Sequence, residues 1–394
     1  MHDVWVITHP QEKEPIEEFL ASHPNPHLHF VWVTLPRWLD TWNPADPKSR
    51  VGLHYVFWQK AALREAKRLH VEIDFAIAHH VSWGTVSEPP LLWRLPIPFV
   101  WGPVGGGQAT PPAFRQYYGP AALGEHLRAA RIRLLPYRPA LRQAVRRSAL
   151  ILATNHESKQ TLMRAGASRP LLFLDSGVRE EFLAEQVPQK RVGAELTLLW
   201  AGWLQRRKCL PLLLEALARI KELPIRLLVA GRGPLRKEWE AMTARLGLRG
   251  RVQFLGLVPY SQMPALYRSA DAFVFTSLRD SFGSQVLEAM AAGLPIVTLD
   301  HQGVGAFVPP EAGIKVAVTT PPEVVASLAF AIRRLAASEE TRTKMGREAW
   351  EFAKTQTWPR RAELMSNWYE ELVHDRAHAA RAETRGIRQP ATTF

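Results

Sequence analysis

The sequence has little cysteine and no long uninterrupted apolar run. Cys209 is the one cysteine among 394 residues. The chain therefore cannot form an internal disulfide, which fits a reducing compartment. No stretch of about 18 uncharged apolar residues is present, which predicts no transmembrane helix. The first ten residues, MHDVWVITHP, lack the basic and apolar regions of a signal peptide. We therefore expect a cytoplasmic protein.

Sequence patterns of metal sites are also missing. The chain has no His-Glu-x-x-His motif, no second cysteine, and no Asp-x-Asp pair near a plausible site. These absences predict no metal and no other cofactor.

Basic residues outnumber acidic ones. The chain has 50 Lys and Arg against 37 Asp and Glu, a formal net charge of +13 and a pI of about 10.1. Such a surface attracts nucleotide diphosphates, acidic lipid headgroups or nucleic acid, and charge alone does not choose among them. Hydrophobic content of 46% and charged content of 22% predict a globular chain, and 394 residues suffice for two domains.

Apolar runs of strand length alternate with segments of helical period along the whole chain. This alternation predicts parallel, doubly wound α/β sheets. In the first half we predict strands at residues 2–8, 28–35, 73–78, 99–101, 149–154 and 171–174. A polar, proline-containing stretch at 183–191 reads as an interdomain linker. Beyond it we predict strands at 196–201, 225–230, 252–255, 272–276 and 295–299.

Residues 275–299 form the most informative stretch, reading as strand, loop, helix, turn and strand. Asp280 lies in the loop, Gly283 ends it, Ser284 is a candidate N-cap, and Glu288 lies inside the helix. A helix N-terminus after a glycine-containing loop suits a diphosphate. Glu288 could accept hydrogen bonds from a ribose and Asp280 from sugar hydroxyls. Taken singly, either acid could equally be a solvated surface residue.

The same stretch carries a family resemblance. Asp280 and Glu288 are separated by seven residues and followed by A-M-A-A-G-L-P-I-V, residues 289–297. This pattern resembles the retaining glycosyltransferases of family 4, which have the GT-B fold. The family usually has Glu where this chain has Asp280. The resemblance implies two Rossmann-like domains of parallel sheet facing a central cleft.

The resemblance also implies a function and a domain division. The function would be transfer of a sugar, with retention of anomeric configuration and without a metal. The donor would be a nucleotide-diphospho-sugar and the acceptor a glycan or lipid-linked molecule, in cell-surface polysaccharide or glycolipid synthesis. We expect an acceptor-side domain at 1–185, a donor-binding domain at 192–357, a helix at 358–377 crossing back to the first domain, and a disordered tail at 381–394.

A basic pair, Arg207 and Lys208, follows the strand predicted at 196–201. In the resembled family such a pair neutralises the donor diphosphate, where fixed cations would stabilise the departing charge. Because Arg206 is adjacent, a solvated basic cluster is the alternative.

Several glycines and backbone segments resemble the family's donor pocket. Gly231 and Gly233 belong to a G-x-G-P turn that shapes the nucleotide pocket, and Leu257 and Val258 to a segment whose backbone holds the base. We expect Gly202 and Phe282 to contribute to the same pocket. Backbone recognition has no residue signature, so UDP, GDP and ADP donors stay open.

His79 and His80 end a predicted strand, where α/β proteins bind ligands. The family has a functional histidine near the transferred sugar in its first domain, and one of this pair could match it. A structural role is the alternative. We interpret the glycine run 105–107 as a loop at the cleft with close backbone approach.

Residues 128–147, from Arg128 to Arg147, alternate arginines with apolar residues, and Pro136 and Pro139 divide them into two short helices. Such a pattern suits contact with an anionic membrane surface, or else ordinary amphipathic helices facing the core.

The first domain departs from the family at its start. The family opens with a strand, a glycine-rich loop and a helix before the strand that residues 4–8 resemble. We therefore expect an N-terminal domain that lacks its first β-α unit, through an upstream start codon or a truncated relative. The alternatives to a transferase are an inactive relative that binds nucleotide or glycan, a sugar-nucleotide epimerase, and, last, a nucleic-acid binder, for which no recognition signature is visible.

Overall fold

A computed structural model describes residues 2–40, 42, 51–184 and 195–386, and side chains throughout these ranges except at 51 and 377–386. Every strand pair in this part of the chain is parallel, as the alternation of elements predicts. The strands of the first half are β1 Val4–Thr8, β2 Leu28–Trp32, β3 Ala78–His80, β4 Phe99–Val104, β5 Leu150–Ala153 and β6 Leu171–Leu172. Those of the second half are β7 Leu196–Ala201, β8 Ile225–Ala230, β9 Val252–Gly256, β10 Ala272–Phe275, β11 Ile296–Leu299 and β12 Gly313–Val316.

The helices cover the faces of these sheets. In the described ranges, no helix is both long and apolar enough to cross a bilayer. In the first half they are α1 Lys13–Ser22, α2 Val51–Ile73, α3 Ala122–Leu134, α4 Pro139–Arg147 and α5 His156–Arg164. In the second half they are α6 Leu210–Ala218, α7 Arg236–Arg245, α8 Met263–Ser269, α9 Ser284–Ala291, α10 Gln302–Phe307, α11 Pro321–Ala337, α12 Glu339–Lys354 and α13 Trp358–Gly386.

The second half folds around a six-stranded sheet in the order β12-β11-β10-β7-β8-β9. Its central strands are continuous apolar runs, as expected for a sheet covered on both faces, and apolar core clusters lie on either side of it. The chain moves outward from β7 to β8 and β9, then returns to the other side of β7 with β10. This change of direction places the loops after β7 and β10 together at the carboxyl edge, where open α/β sheets bind ligands.

The first half contains two separate sheets. Strands β3-β4-β5-β6 form one, and β1 pairs with β2 in the other. None of the residues of β1 and β2 is fully buried, although both sequences are largely apolar. A cavity of about 1120 Å³ lies between β1 and β3, bordered also by Tyr369 and Val373 of α13.

Two sequence-based boundaries are wrong. The strand predicted at 73–78 begins only at Ala78, because α2 continues to Ile73 and Asp74 then turns the chain at φ +54°. The disordered tail predicted from 381 is wrong for residues 381–386, which continue α13. Most of the linker predicted at 183–191, and residues 387–394, lie outside the described residues.

Helix α13 and residues 112–121 supply some of the contacts between the two halves. In α13, the Tyr369 hydroxyl lies 2.5 Å from Nδ1 of His79, and Arg376 donates to the Pro96 carbonyl at 2.8 Å. Phe114 and Tyr118 are buried within the core cluster of the second half. Helix α13, which follows the six-stranded sheet in the chain, therefore lies against the first half.

Candidate active site

Three charged side chains meet at the carboxyl edge of the second sheet. Arg207 and Lys208, in the loop after β7, both donate to Oδ2 of Asp280, in the loop after β10. The Arg207 Nη1 distance is 2.9 Å. Ser277 donates to the same oxygen at 3.4 Å, and the Ser281 amide donates to Oδ1 at 3.1 Å. The residues predicted to hold diphosphate and sugar therefore form one ion cluster.

Backbone bonds between the two loops fix this arrangement. The Leu278 amide donates to the Arg207 carbonyl at 2.7 Å, and the Thr276 hydroxyl donates to the Lys208 carbonyl at 3.1 Å. Cys209, which follows Lys208, is buried and left-handed at φ +44°. The turn presents the Lys208 side chain to the cluster while the backbone enters α6.

Burial and charge act against each other in this cluster. The Lys208 side chain is 6% exposed and that of Asp280 19%. Burial alone would raise the pKa of Asp280, but Lys208 and Arg207 outweigh it and lower that pKa below its ordinary value. Burial lowers the pKa of Lys208, partly offset by Asp280. In this cluster a buried lysine and a partly exposed arginine share one carboxylate.

Arg206, the neighbour that suggested a solvated cluster, lies apart from these three. It forms an ion pair with Glu238 at 3.1 Å, on side chains 28% and 50% exposed. The Arg207 side chain is also 28% exposed, but its partner Asp280 is only 19% exposed, so the ion pair of Arg206 is the more solvated of the two.

Glu288 occupies the second turn of α9. Its carboxylate accepts hydrogen bonds from the hydroxyls of Tyr267 at 2.8 Å and Tyr260 at 3.3 Å. Burial raises the pKa of Glu288, and these two tyrosines partly oppose the rise. Each carboxylate oxygen has two acceptor sites, so capacity remains for ligand hydroxyls.

The start of α9 differs from the prediction. Gly283, at φ +101°, is the N-cap and supplies no side-chain cap, while Ser284 is the first helical residue. Ser284 is therefore not the N-cap, because the loop needs a conformation that suits glycine.

The predicted glycines of the donor pocket bring two loops into close contact. A Cβ on Gly231 would lie 1.9 Å from the Gly202 carbonyl oxygen, and one on Gly233 would lie 2.4 Å from that of Leu204. All three glycines have positive φ. Leu257 is 65% exposed and Val258 half-buried beside this edge.

Phe282 and the histidine pair already have protein partners. The Phe282 ring is fully buried against Phe307, which leaves only its backbone for a ligand. His79 contacts the Gly102 carbonyl at 2.6 Å, and His80 contacts the Tyr55 hydroxyl at 2.8 Å. Burial lowers the pKa of His79 to about 4 and that of His80 to about 3. Donor contact by Phe282, His79 or His80 stays a prediction.

The Asp280 loop touches the first half of the chain directly. A Cβ on Gly105 would lie 2.7 Å from the Ser281 hydroxyl, which agrees with close backbone approach by the glycine run. Arg279 forms an ion pair with the buried Glu125 at 3.1 Å. Sequence reasoning missed both Arg279 and Glu125, which lie 154 residues apart.

Gln302 is a further residue that sequence reasoning missed. Its side chain accepts from the Asp280 amide at 2.7 Å and donates to the carbonyls of Leu278 and Ala109, at 3.1 and 3.2 Å. Its own amide donates to Glu157 at 3.2 Å. The available signal was its position after β11, at the same sheet edge as Asp280.

The second half of the chain matches a known family. Residues 184–352 match the family model "Glycosyl transferases group 1". D-inositol 3-phosphate glycosyltransferase of Corynebacterium glutamicum is 33% identical over 133 residues, which cover 34% of this chain and 31% of that protein. The match therefore spans about a third of that relative's length.

Solved structures match over nearly the whole chain. Sucrose-phosphate synthase of Thermosynechococcus elongatus aligns with a TM-score of 0.64 at 17% identity, covering 95% of this chain and 100% of that one. HepE of Anabaena, solved in complex with UDP, aligns with a TM-score of 0.56 at 16% identity, covering 93% and 89%. The chain therefore has the GT-B fold, and its second half is similar to group 1 glycosyltransferases.

Proposed function

We propose that this protein is a retaining, group 1 glycosyltransferase. It would transfer a sugar from a nucleotide-diphospho-sugar to a glycan or lipid-linked acceptor, in cell-surface polysaccharide or glycolipid synthesis. The observation that carries the proposal is the cluster of Arg207, Lys208 and Asp280. It lies at the ligand-binding edge of the sheet, within the region that matches the family model.

The cluster suggests how donor binding proceeds. A diphosphate carries more negative charge than one carboxylate, so it would compete with Asp280 for Arg207 and Lys208. Displaced from the cations, Oδ2 of Asp280 would be released to accept sugar hydroxyls. Phosphate oxygens would also meet the uncapped amides at the start of α9, and Glu288 would accept from the ribose.

The same residues support catalysis by positioning and charge. As the sugar–phosphate bond breaks, negative charge develops on the leaving diphosphate, where Arg207 and Lys208 would stabilise it. In a front-face, retaining route the leaving phosphate oxygen takes the acceptor proton, so no protein nucleophile and no metal would be required. His79 or His80 would assist near the transferred sugar.

The acceptor side is proposed to work at the inner membrane surface. Helix α3, which leads into the arginine-rich stretch 128–147, exposes Leu123, Leu127 and Leu134, at 70%, 65% and 64%. Leu141 and Val145 of α4 are instead buried, as an ordinary amphipathic helix requires. The exposed leucines of α3 therefore favour peripheral contact with anionic lipid by the first domain of a cytoplasmic enzyme.

Calorimetric titration with UDP, GDP and ADP tests the donor site. We expect one of the three to bind, and Glu288→Ala to weaken it by about 10- to 150-fold, because charge-assisted bonds to ribose are worth about 1.5–3 kcal/mol. The control is Glu240→Ala, which removes a helix-surface glutamate paired with Arg236 and should leave affinity unchanged. Equal affinity in wild type and Glu288→Ala would contradict the proposed ribose contact. Nucleotide binding without release of a nucleoside diphosphate from any nucleotide-sugar would favour the inactive-relative alternative.

A further inference from the structure

Three ligand-type side chains from separate segments meet in the first half, away from the Asp280 cluster. His9 directly follows β1, Asp40 lies in the loop after β2, and His54 is in the first turn of α2. Each offers one nitrogen or oxygen, and these atoms all lie within 4.8 Å of one another. Among the residues that the structure describes, this is the group with metal-ligand spacing.

The distances fit a tetrahedral metal. His54 Nδ1 lies 3.1 Å from Asp40 Oδ1, and His9 Nε2 lies 3.6 Å from Asp40 Oδ2. Zinc holds histidine nitrogen and carboxylate oxygen at about 2.0–2.2 Å, which places adjacent ligand atoms of a tetrahedron about 3.4 Å apart. Little movement is needed for the three groups to share one ion.

Hydrogen bonding among the described residues does not account for these groups. His54 is 3% exposed, yet its Nδ1 has no hydrogen-bond partner in the part of the chain that the structure describes, and the same holds for Asp40 Oδ1 and both ring nitrogens of His9. At 3.1 Å a well-aimed Nδ1–H would bond to Asp40 Oδ1, so the two groups are close but not aligned as donor and acceptor. Buried polar atoms without partners are costly, which points to a further ligand.

Trp42 would shield a bound ion on one side, and a cavity would leave its other side accessible. The Trp42 ring lies 5.7 Å from that of His9 and 5.6 Å from that of His54. Trp42, His9 and His54 line the 1120 Å³ cavity between β1 and β3. A fourth coordination position would therefore face a space large enough for water or a ligand.

We propose that His9, Asp40 and His54 bind one zinc ion. Two imidazoles and one carboxylate form a donor set that zinc accepts, with a fourth position for water. The ion would fix the end of β1, the loop after β2 and the start of α2 to one another. The cluster of Arg207, Lys208 and Asp280 would contribute no ligand to this ion, whereas His79 and His80 border the same cavity.

The competing explanation is an ion pair in which Asp40 faces two histidines without a metal. The two explanations differ in one measurable property, because only the proposed zinc site requires stoichiometric zinc. A second histidine–aspartate pair in the chain supplies a matched control. His27 Nδ1 lies 2.7 Å from Asp3 Oδ1 on exposed side chains, without a third ligand.

The test is zinc titration of the tag-free full chain, stripped with a chelator and followed by competition with a chromophoric chelator. We expect one zinc per chain in wild type and in His27→Ala. Asp40→Asn, which keeps the side chain's shape, should weaken binding by at least about 100-fold, since even loss of a residue that only supports a ligand costs 10- to 100-fold. Equal zinc affinity in wild type and Asp40→Asn would overturn the proposal.

A direct readout avoids dependence on any variant. X-ray absorption at the zinc edge of the wild-type chain should show two imidazole nitrogens and light-atom ligands at about 2.0–2.1 Å in four-fold coordination. A six-oxygen shell, or no stoichiometric zinc at all, would establish the metal-free ion pair instead.

Discussion

Replacing Lys208 by methionine removes one cation from the proposed diphosphate site and keeps an unbranched side chain of similar length. The Lys208 side chain is only 6% exposed, and burial already lowers its pKa. The variant therefore exchanges a desolvated ammonium for an apolar group that suits burial. Asp280 keeps Arg207, Ser277 and the Ser281 amide as partners, so it is not left as an unpaired buried charge.

These contacts set the expected magnitudes. Removing one partner of a buried ion pair costs about 3–5 kcal/mol when the other charge is left uncompensated. Because three partners of Asp280 remain, we expect a loss of only about 1–2 kcal/mol in the free energy of unfolding. One charge-assisted contact to phosphate is worth about 1.5–3 kcal/mol, so the nucleoside diphosphate should bind about 10- to 150-fold more weakly.

The assay is calorimetry with whichever of UDP, GDP and ADP binds wild type most tightly, together with thermal unfolding of each variant. The matched control is Arg206→Met, which removes the adjacent cation, paired with exposed Glu238. Exposed ion pairs are worth about 0–1 kcal/mol, so this variant should lose little stability and no affinity. Unchanged affinity in Lys208→Met, or an equal loss in Arg206→Met, would refute the assignment of Lys208 to the diphosphate.

Two further predictions concern the glycine turn and the arginine-rich stretch. Gly231→Ala should lower the free energy of unfolding by at least about 2 kcal/mol more than Gly250→Ala, measured by denaturant titration. Both glycines have positive φ, but only at Gly231 does a Cβ meet backbone, at 1.9 Å, and equal losses would exclude this steric cause. The full chain should sediment with anionic vesicles at low salt and be released as salt rises, and replacing Leu127 and Leu134 by serine should weaken this binding. Phe330→Ser, at a 70% exposed position of the second half, is the control, and absence of vesicle binding in the wild type would contradict the membrane proposal.

The sequence predicted five of the six strands of the second sheet, because their signals are local, and missed the edge strand β12. Strands β7, β8, β10 and β11 are apolar runs whose sequence neighbours are polar loops or helices of clear period. The first sheet was harder, because α2 and β3 are separated by a turn at Asp74 that no periodicity reveals. Because of that turn, the strand was predicted several residues too early. The sequence did indicate that the strand ends at His79 and His80, which lie within β3.

The candidate site residues were chosen by motif and spacing, which did not predict the bonds between them. Motif and spacing singled out Arg207, Lys208, Asp280 and Glu288. The motif assigned Asp280 to the sugar and the two cations to the phosphate, and it did not predict that they pair with each other. Residues 207 and 280 pair across 73 positions of sequence, and such pairing depends on which strands are neighbours in the sheet. The tyrosines that contact Glu288 were missed for the same reason, since both lie more than 20 positions upstream.

The contacts of three successive residues link the charge cluster to the other half of the chain. Arg279 is paired with Glu125, the Asp280 amide donates to Gln302, and Ser281 faces Gly105. Gln302 in turn donates to the Ala109 carbonyl in the first half. A group that displaces Asp280 from Arg207 and Lys208 must therefore act on the same loop that joins the two halves. The second half supplies the charges of the cluster, and residues of the first half contact the loop that carries the carboxylate.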